Sequence, residues 1–279
     1  MREDQPSRTA IGVALRRAAH QIIDQPRIFE DPLALPILGP LAARVPSQGS
    51  LLENPALRAL RLFLAVRSRF AEDELAAAFA RGTRQYVLLG AGLDTFAYRN
   101  PHQGLRVFEV DHPATQRWKR ARLESAGIAI PSETVFVPVD FEREKLPDAL
   151  CAAGFRDDER AFFAWLGVVP YLTEEAFDAT LGFIANTPAE SGVVFDYGAD
   201  AATLGFRERL GRRALASRVA AAGEPFRLFF NPEVLRAKLA KAGFRHIDDL
   251  GAAEINARYS LQGRNRLAGR GARLISARL

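Results

Sequence analysis

Short apolar runs alternate with amphipathic stretches over the last two thirds of the chain, a pattern typical of an α/β fold. The runs have little internal polar alternation, which indicates strands covered by helices on both faces. Helix start signals between them, such as the Thr173 N-cap and the Asn231-Pro232 pair, predict a mostly parallel, seven-stranded sheet. The predicted strands are residues 85–90, 105–110, 134–139, 161–165, 192–197, 244–248 and 272–277.

The N-terminal part of the chain follows a helical pattern instead. Apolar residues recur at helical spacing over residues 9–23 and again over residues 55–80, with prolines breaking the chain between them. We therefore predict a single domain over residues 1–279, in which residues 1–82 form a helical extension and residues 83–279 a Rossmann-like core. Residues 200–229 are Arg-rich and interrupt the alternation late, where a helical lid would lie.

The composition is that of a folded, soluble chain. Of the 279 residues, 48% are hydrophobic and 25% are charged, a balance typical of globular proteins. The longest apolar stretch, residues 161–172, is shorter than the about 20 residues that cross a bilayer. The N-terminal sequence MREDQPSRTA has no apolar leader core. We therefore expect a cytoplasmic protein with no membrane partner.

Charge and cysteine content argue against a nucleic-acid-binding protein, a disulfide-bonded protein and a cysteine-based metalloprotein. The net charge is +5, but the arginines are scattered along the chain, so no nucleic-acid partner is predicted. Cys151 is the only cysteine, which excludes an intrachain disulfide and a cysteine-based metal site. We expect this thiol to be buried or inert, and we predict no metal site.

The first predicted strand ends in Gly90-Ala91-Gly92-Leu93-Asp94. In parallel α/β sheets, ligands bind in the crevice beyond the carboxyl ends of the strands, and glycines let the backbone approach a ligand closely. A dinucleotide fold needs a third glycine at the helix start to hold a pyrophosphate. This chain has Thr95 there and Asp94 before it, which is a poor phosphate cradle.

Acidic residues end the next two strands. Glu109 and Asp111 belong to the second strand, where a carboxylate can accept hydrogen bonds from both ribose hydroxyls. Either residue can fill this role, and the alternatives are a solvated strand end for Glu109 and a helix N-cap for Asp111. Asp140 ends the third strand and can accept from an adenine amino group, or it can simply form a turn.

Four segments in order carry a resemblance to a known family: GAGLDTFAYR, VFEVDHPATQRWKR, VPVDF and FFAWLGVVPYLTEEAF. With SRTAIGVALRRAAH and AVRSRFAEDEL before them, and FFNPEVLRAKLAKAGF and EINARY after them, the chain resembles the leucine carboxyl methyltransferase-like family nearly end to end. These are class I methyltransferases that use S-adenosyl-L-methionine. The resemblance implies a Rossmann-like class I fold and this cofactor, and it does not indicate the substrate.

The resemblance also implies roles for single residues. Arg67 matches the arginine that pairs with the methionine carboxylate of the cofactor, and Arg16 or Arg17 matches a basic residue on the first helix. We take Arg16 as the site residue. Trp165 stands where the family's better-known eukaryotic members have a glutamate, so we expect an indole wall for the cofactor or, alternatively, a core residue. The remaining matches are Gly90, Ala91, Gly92 and Asp94 at the cofactor turn, Asp111 at the ribose, and Asp140 with Phe141 at the adenine.

The expected activity is O-methylation of a small-molecule carboxylate or hydroxyl. A non-catalytic module that binds S-adenosyl-L-methionine is the alternative, and an NAD(P)-dependent oxidoreductase is a weaker one. A carboxylate acceptor needs no general base, whereas a hydroxyl acceptor needs one nearby. The candidates for this base are His20, Tyr98, Tyr171 and Tyr197. None has a partner that the sequence reveals, so no catalytic residue is assigned. The sequence also does not indicate an oligomeric state.

Overall fold

The computed structural model describes residues 8–45, 55–140, 144–206, 208–210 and 225–279. Seven strands form one sheet in the order β3-β2-β1-β4-β5-β7-β6, and β7 alone runs antiparallel to its neighbours. The carboxyl ends of the other six strands therefore meet at one edge. The strands are β1 Gln85–Leu89, β2 Arg106–Asp111, β3 Thr134–Pro138, β4 Ala161–Trp165, β5 Gly192–Gly198, β6 His246–Leu250 and β7 Ala272–Arg278.

Helices cover both faces of this sheet. One apolar core lies between the sheet and α4, α5 and α6, and a second lies between the sheet and α2 and α7. Caps fix helix starts where the sequence predicts them: Thr173 accepts from the backbone N–H of Ala176 at 3.2 Å, and Asn231 from that of Glu233 at 2.9 Å. The described α-helices are α1 Arg8–Ile23, α2 Pro55–Ala80, α3 Pro113–Ser125, α4 Leu146–Ala152, α5 Glu174–Ala185, α6 Pro232–Lys241 and α7 Ala252–Arg258.

Buried polar contacts fasten α1 to α2. Arg61 of α2 donates to both carboxylate oxygens of Asp24, each at 2.7 Å. The His20 ring joins them, with Nδ1 2.8 Å from Asp24 and Nε2 accepting from the backbone N–H groups of Ile28 and Phe29 at 3.1 and 3.3 Å. Because Nε2 accepts, Nδ1 carries the hydrogen and donates to Asp24. His20 therefore has a structural role at this junction.

The predicted mostly parallel, seven-stranded sheet with helices on both faces is confirmed, and each predicted strand overlaps an observed one. Half of the proposed lid, residues 200–229, lies outside the described residues, and the lid stays a prediction. Cys151 is exposed at the end of α4, so the expected burial is wrong, and the inertness of the thiol stays a prediction. Within the described ranges, no helix is long and apolar enough to cross a membrane.

Candidate functional site

The loop after β1 is pinned to the end of β2. The backbone N–H groups of Gly90 and Ala91 both donate to the carbonyl of Val110, at 2.9 and 3.0 Å. Gly90 has a φ of 70°, a conformation that favours glycine, and a Cβ there would lie 2.4 Å from Val168 Cγ2. The loop after β4 therefore packs directly on Gly90. The packing of the chain itself requires a residue without a side chain at this position.

Gly92 joins the loop to the predicted ribose acid. Its backbone N–H donates to Asp111 Oδ2 at 2.6 Å, and Asp111 Oδ1 accepts from the N–H of His112 at 2.7 Å. Gly92 has a φ of 50°, and a Cβ there would meet Ala10 Cβ of α1 at 3.3 Å. Burial raises the pKa of Asp111, although these two N–H donors oppose the shift. The half-buried carboxylate thus lies at the strand end, oriented by backbone donors.

Glu109 has different surroundings. Its side chain is fully buried, and Oε2 accepts from Tyr98 Oη at 2.9 Å and lies 2.7 Å from Lys119 Nζ. Burial raises the pKa of Glu109, while Lys119 and Tyr98 pull it down. Glu109 therefore lies in a buried polar cluster beneath the rim that carries Asp111. Of the two acids that the sequence left open, the geometry favours Asp111 for a ligand.

Arg17, and not Arg16, reaches the loop from α1. Arg17 donates to Asp94 Oδ2 at 2.9 Å and to Asp31 Oδ2 at 2.5 Å. Burial disfavours the cation, but Asp94 and Asp31 outweigh it and raise the pKa of Arg17. Arg16 is half-buried and donates to the carbonyl of Gly12 in its own helix at 2.8 Å. The role of Arg16 at the cofactor stays a prediction, without a contact to the loop.

Helical periodicity could have distinguished the two arginines. Arg17 lies seven residues after Ala10, so the two side chains share a face of α1. Ala14, which lies three residues before Arg17 and is buried, marks the same face. Arg16 is rotated by about 100° from Arg17. The pattern in the sequence therefore indicated which arginine turns toward the core.

A second buried ion pair lies at the tip of β4. Arg67 of α2 donates to Asp196 Oδ2 of β5 at 3.0 Å, and Asp196 Oδ1 accepts from the backbone N–H of Gly167 at 2.5 Å. Arg67 is 7% exposed and Asp196 6%. A Cβ on Gly167 would lie 2.8 Å from both terminal guanidinium nitrogens. Sequence reasoning did not select Asp196, although a carboxylate inside the apolar run GVVFDY was a usable signal.

Asp140 lies just beyond β3. The preceding residue, Val139, donates its backbone N–H to the carbonyl of Asp111 at 3.0 Å, which brings the two strand ends together. The backbone N–H of Asp140 donates to Glu144 Oε2 at 2.8 Å. Asp140 is half-buried beside the predicted ribose acid, and its adenine role stays a prediction. Phe141 lies outside the described residues.

Trp165 does not line the crevice, so the predicted indole wall is wrong. The side chain is 3% exposed and stacks on Phe177 of α5 with a centroid distance of 5.4 Å and an interplanar angle of 6°. It also meets Phe195 of β5 edge to face at 6.3 Å. Apolar burial of a large aromatic ring is strongly stabilising, and here it directs the indole under α5.

Three of the four candidate bases make contacts that disfavour their accepting a proton from a substrate. The His20 ring is held at the α1–α2 junction by the contacts described above. Tyr98 donates to a buried carboxylate, and Tyr197 donates to Asp249 Oδ2 at 2.8 Å. Burial, reinforced by these carboxylates, raises the pKa of both tyrosines. Tyr171 is half-buried after β4, and its role is untested.

Comparisons with known proteins agree with this architecture. Residues 10–185 match the model of the leucine carboxyl methyltransferase family. A candidate S-adenosyl-L-methionine-dependent methyltransferase of Bacillus subtilis (strain 168), YktD, is 32% identical over 92% of this chain and 92% of its own. A candidate S-adenosyl-L-methionine-dependent methyltransferase of Saccharopolyspora erythraea is 40% identical over 60% of this chain and 58% of its own.

Solved structures share the fold at low sequence identity. A candidate methyltransferase from Thermobifida fusca YX is 16% identical with a TM-score of 0.55, covering 94% of this chain and 93% of that one. A DUF574 family protein from Streptomyces avermitilis is 18% identical with a TM-score of 0.52, covering 94% and 96%. These likenesses concern the fold alone.

Proposed function

Because the chain belongs to the leucine carboxyl methyltransferase family, we propose that it is an S-adenosyl-L-methionine-dependent methyltransferase that methylates a carboxylate oxygen of a small molecule. The observation that carries the cofactor part of the proposal is the half-buried carboxylate of Asp111 at the end of β2, held by the N–H of Gly92. It is the kind of acceptor that a ribose diol needs, at the sheet edge where such ligands bind.

The other side chains at this edge fit the rest of the cofactor. Its amino-acid end carries a carboxylate and an ammonium group, and the Arg67–Asp196 pair offers one charge of each sign at the tip of β4. Asp140, next to the strand end that carries Asp111, offers an acceptor for the adenine amino group. These hydrogen-bonding and charged side chains therefore suit a nucleoside with a zwitterionic tail.

Residues 1–82 and the core are proposed to work as one unit. The Arg17–Asp94 pair connects α1 with the loop after β1, and the Arg67–Asp196 pair connects α2 with β5. Both pairs cross from the helical extension to the carboxyl edge of the sheet. Removing the extension would therefore leave two acids at this edge without their cations.

When bound, the cofactor supplies a methyl group already activated by its sulfonium centre. The chain then has to orient the acceptor in line with the methyl group and keep water away. Arg67, Asp111 and the loop after β1 are proposed to fix the donor. No proton has to be removed from a carboxylate acceptor, which agrees with the contacts that engage His20, Tyr98 and Tyr197 as hydrogen-bonding structural groups.

The test is incubation with methyl-labelled cofactor and two acceptor panels, one of small carboxylic acids and one of phenols and alcohols. Methyl esters release labelled methanol in mild alkali, whereas methyl ethers do not. We expect alkali-labile label on a carboxylic acid, and an Asp111→Ala variant should lose it. Alkali-stable label would point to a hydroxyl acceptor instead, with Tyr171 as the candidate base still to be tested.

Two further outcomes separate the alternatives. Cofactor binding without transfer to either panel or to a metabolite extract would support a non-catalytic S-adenosyl-L-methionine-binding module. NAD(P)-dependent turnover would support an oxidoreductase, which the sequence disfavours because Thr95 occupies the place of the third glycine. Label on protein rather than on small molecules would contradict the proposed acceptor class.

A further inference from the structure

We propose that Asp196 binds the ammonium group of the cofactor's amino-acid end and that the ligand exchanges partners with the Arg67–Asp196 pair. The inference rests on the proposed function. In the structure, Arg67 Nη1 lies 3.0 Å from Asp196 Oδ2, so each charge neutralises the other. On binding, the ligand carboxylate takes Arg67 and the ligand ammonium takes Asp196.

The electrostatics require a cation beside Asp196. A ligand carboxylate paired with Arg67 comes to lie close to the Asp196 carboxylate, because the guanidinium already contacts it. Asp196 is 6% exposed, so water screens this like-charge repulsion poorly. The ammonium group, one carbon away from the ligand carboxylate, supplies the missing positive charge. A ligand with the carboxylate alone would leave two anions sharing one cation.

The structure also orients Asp196 for this role. Its Oδ1 accepts from the N–H of Gly167 at 2.5 Å, which fixes the carboxylate against the turn after β4. Gly167 has a φ of 71°, and a Cβ there would collide with the Arg67 guanidinium. Oδ2 of Asp196 accepts from Arg67 and is the oxygen that can exchange this partner for the ligand ammonium. In the register of the sheet, Phe195 lies opposite Trp165, the last residue of β4. Asp196 therefore lies one residue beyond the end of β4.

The Arg67–Asp196 pair explains how two charges can be buried at this edge of the sheet. An unpaired buried charge is costly, and removing one member of a buried pair typically destabilises a fold by several kcal/mol. Exchange with a zwitterion leaves both buried charges paired, because one internal pair is replaced by two pairs to the ligand. The site thereby selects ligands that carry both charges.

Calorimetry with three ligands tests the assignment. They are S-adenosylhomocysteine, the analogue without its carboxylate, 5′-deoxy-5′-(3-aminopropylthio)adenosine, and the analogue without its amino group, 4-(5′-adenosylthio)butyrate. Charge-assisted hydrogen bonds correspond to about ten- to a hundredfold in affinity. We expect Asp196→Asn to weaken the two amine-bearing ligands by this factor and to leave the deaminated analogue within twofold or bind it more tightly.

Asp249→Asn is the matched control. Asp249 also pairs with an arginine, Arg273 at 2.9 Å, but it lies on β6, and its substitution should leave all three affinities within twofold. Equal weakening of the three ligands by Asp196→Asn would mean that Asp196 acts only by positioning Arg67, and the inference would be wrong. Unchanged affinity for S-adenosylhomocysteine would overturn it as well.

The unmodified protein gives an independent test that does not depend on a folded variant. S-Adenosylhomocysteine should bind at least about tenfold more tightly than the deaminated analogue, and equal affinities would contradict the role of Asp196. If the unmodified protein binds none of the three ligands, the proposed function fails, and this outcome is distinct from failure of the Asp196 assignment.

Discussion

Asp24→Asn should strongly destabilise the protein, because it removes the only carboxylate bonded to Arg61 among the described residues. Arg61 is 1% exposed and Asp24 4%, and two 2.7 Å hydrogen bonds join them. Arg61 Nη1 is buried without a hydrogen-bond partner, so the variant would leave a buried cation uncompensated. The expected loss in the free energy of unfolding is about 3–5 kcal/mol.

The lowered pKa of Asp24 reflects the same contacts and sets their pH dependence. Burial opposes its ionisation, but hydrogen bonds from Arg61 and His20 outweigh burial and lower the pKa from 3.8 to about 2. A shift of that size corresponds to about 2 kcal/mol of stability. Since the folded pKa is depressed, this stabilisation is fully present above about pH 4 and is lost as the pH falls toward 2.

Urea unfolding of the wild type and of Asp24→Asn, first at pH 7 and then at lower pH, measures the difference in the free energy of unfolding and its pH dependence. The difference between wild type and Asp24→Asn should be large at pH 7 and should shrink below pH 4. Asp73→Asn is the control, because it removes a partly exposed pair with Arg69 while the asparagine oxygen can still accept from Tyr259. It should cost at most about 1 kcal/mol. A loss below about 1 kcal/mol for Asp24→Asn, or a difference between the two proteins that grows as the pH falls, would show that the Asp24–Arg61 pair does not stabilise the fold as proposed.

Three further predictions concern the site. Arg67→Ala should weaken S-adenosylhomocysteine binding about ten- to a hundredfold in calorimetry, and affinity within twofold in a folded variant would exclude its pairing with the ligand. Asp111→Ala should lower cofactor affinity, and because it removes the acceptor of the Gly92 and His112 N–H groups it should also lower the free energy of unfolding by about 1–3 kcal/mol. Glu109→Gln, beside the buried Lys119, should lower stability and leave the cofactor affinity of the folded variant nearly unchanged; the reverse pattern of affinities would reassign the ribose acid. Because Trp165 is stacked in the core, the ligand-induced change in intrinsic fluorescence should survive in Trp165→Phe, and its loss there would return this residue to the site.

The secondary structure was readable from sequence because its signals are local. The predicted bounds of residues 55–80 and 161–165 coincide with α2 and β4, since a long amphipathic pattern and a short apolar run leave little ambiguity. The position of β7 between β5 and β6 was not predicted. Strand order depends on which hydrophobic faces meet in space, and the linear pattern does not carry that information.

The candidate site was only partly predictable for the same reason. The glycine loop and Asp111 are adjacent to strand ends, so topology alone brings them together. The direction of Trp165 was not predictable, because every residue of β4 is apolar and buried and the run shows no alternation between faces. Asp196 was missed because its importance depends on Arg67, which is distant in sequence and contacts it only in the folded chain.

Isothermal titration calorimetry of the purified protein with S-adenosyl-L-methionine, S-adenosylhomocysteine and NAD tests most directly what the crevice binds. We expect saturable one-to-one binding of both sulfur-containing nucleosides and no measurable heat with NAD. Asp111→Ala should reduce the affinity for both nucleosides. Tight NAD binding together with no response to either nucleoside would contradict the central claim that this crevice is built for S-adenosyl-L-methionine.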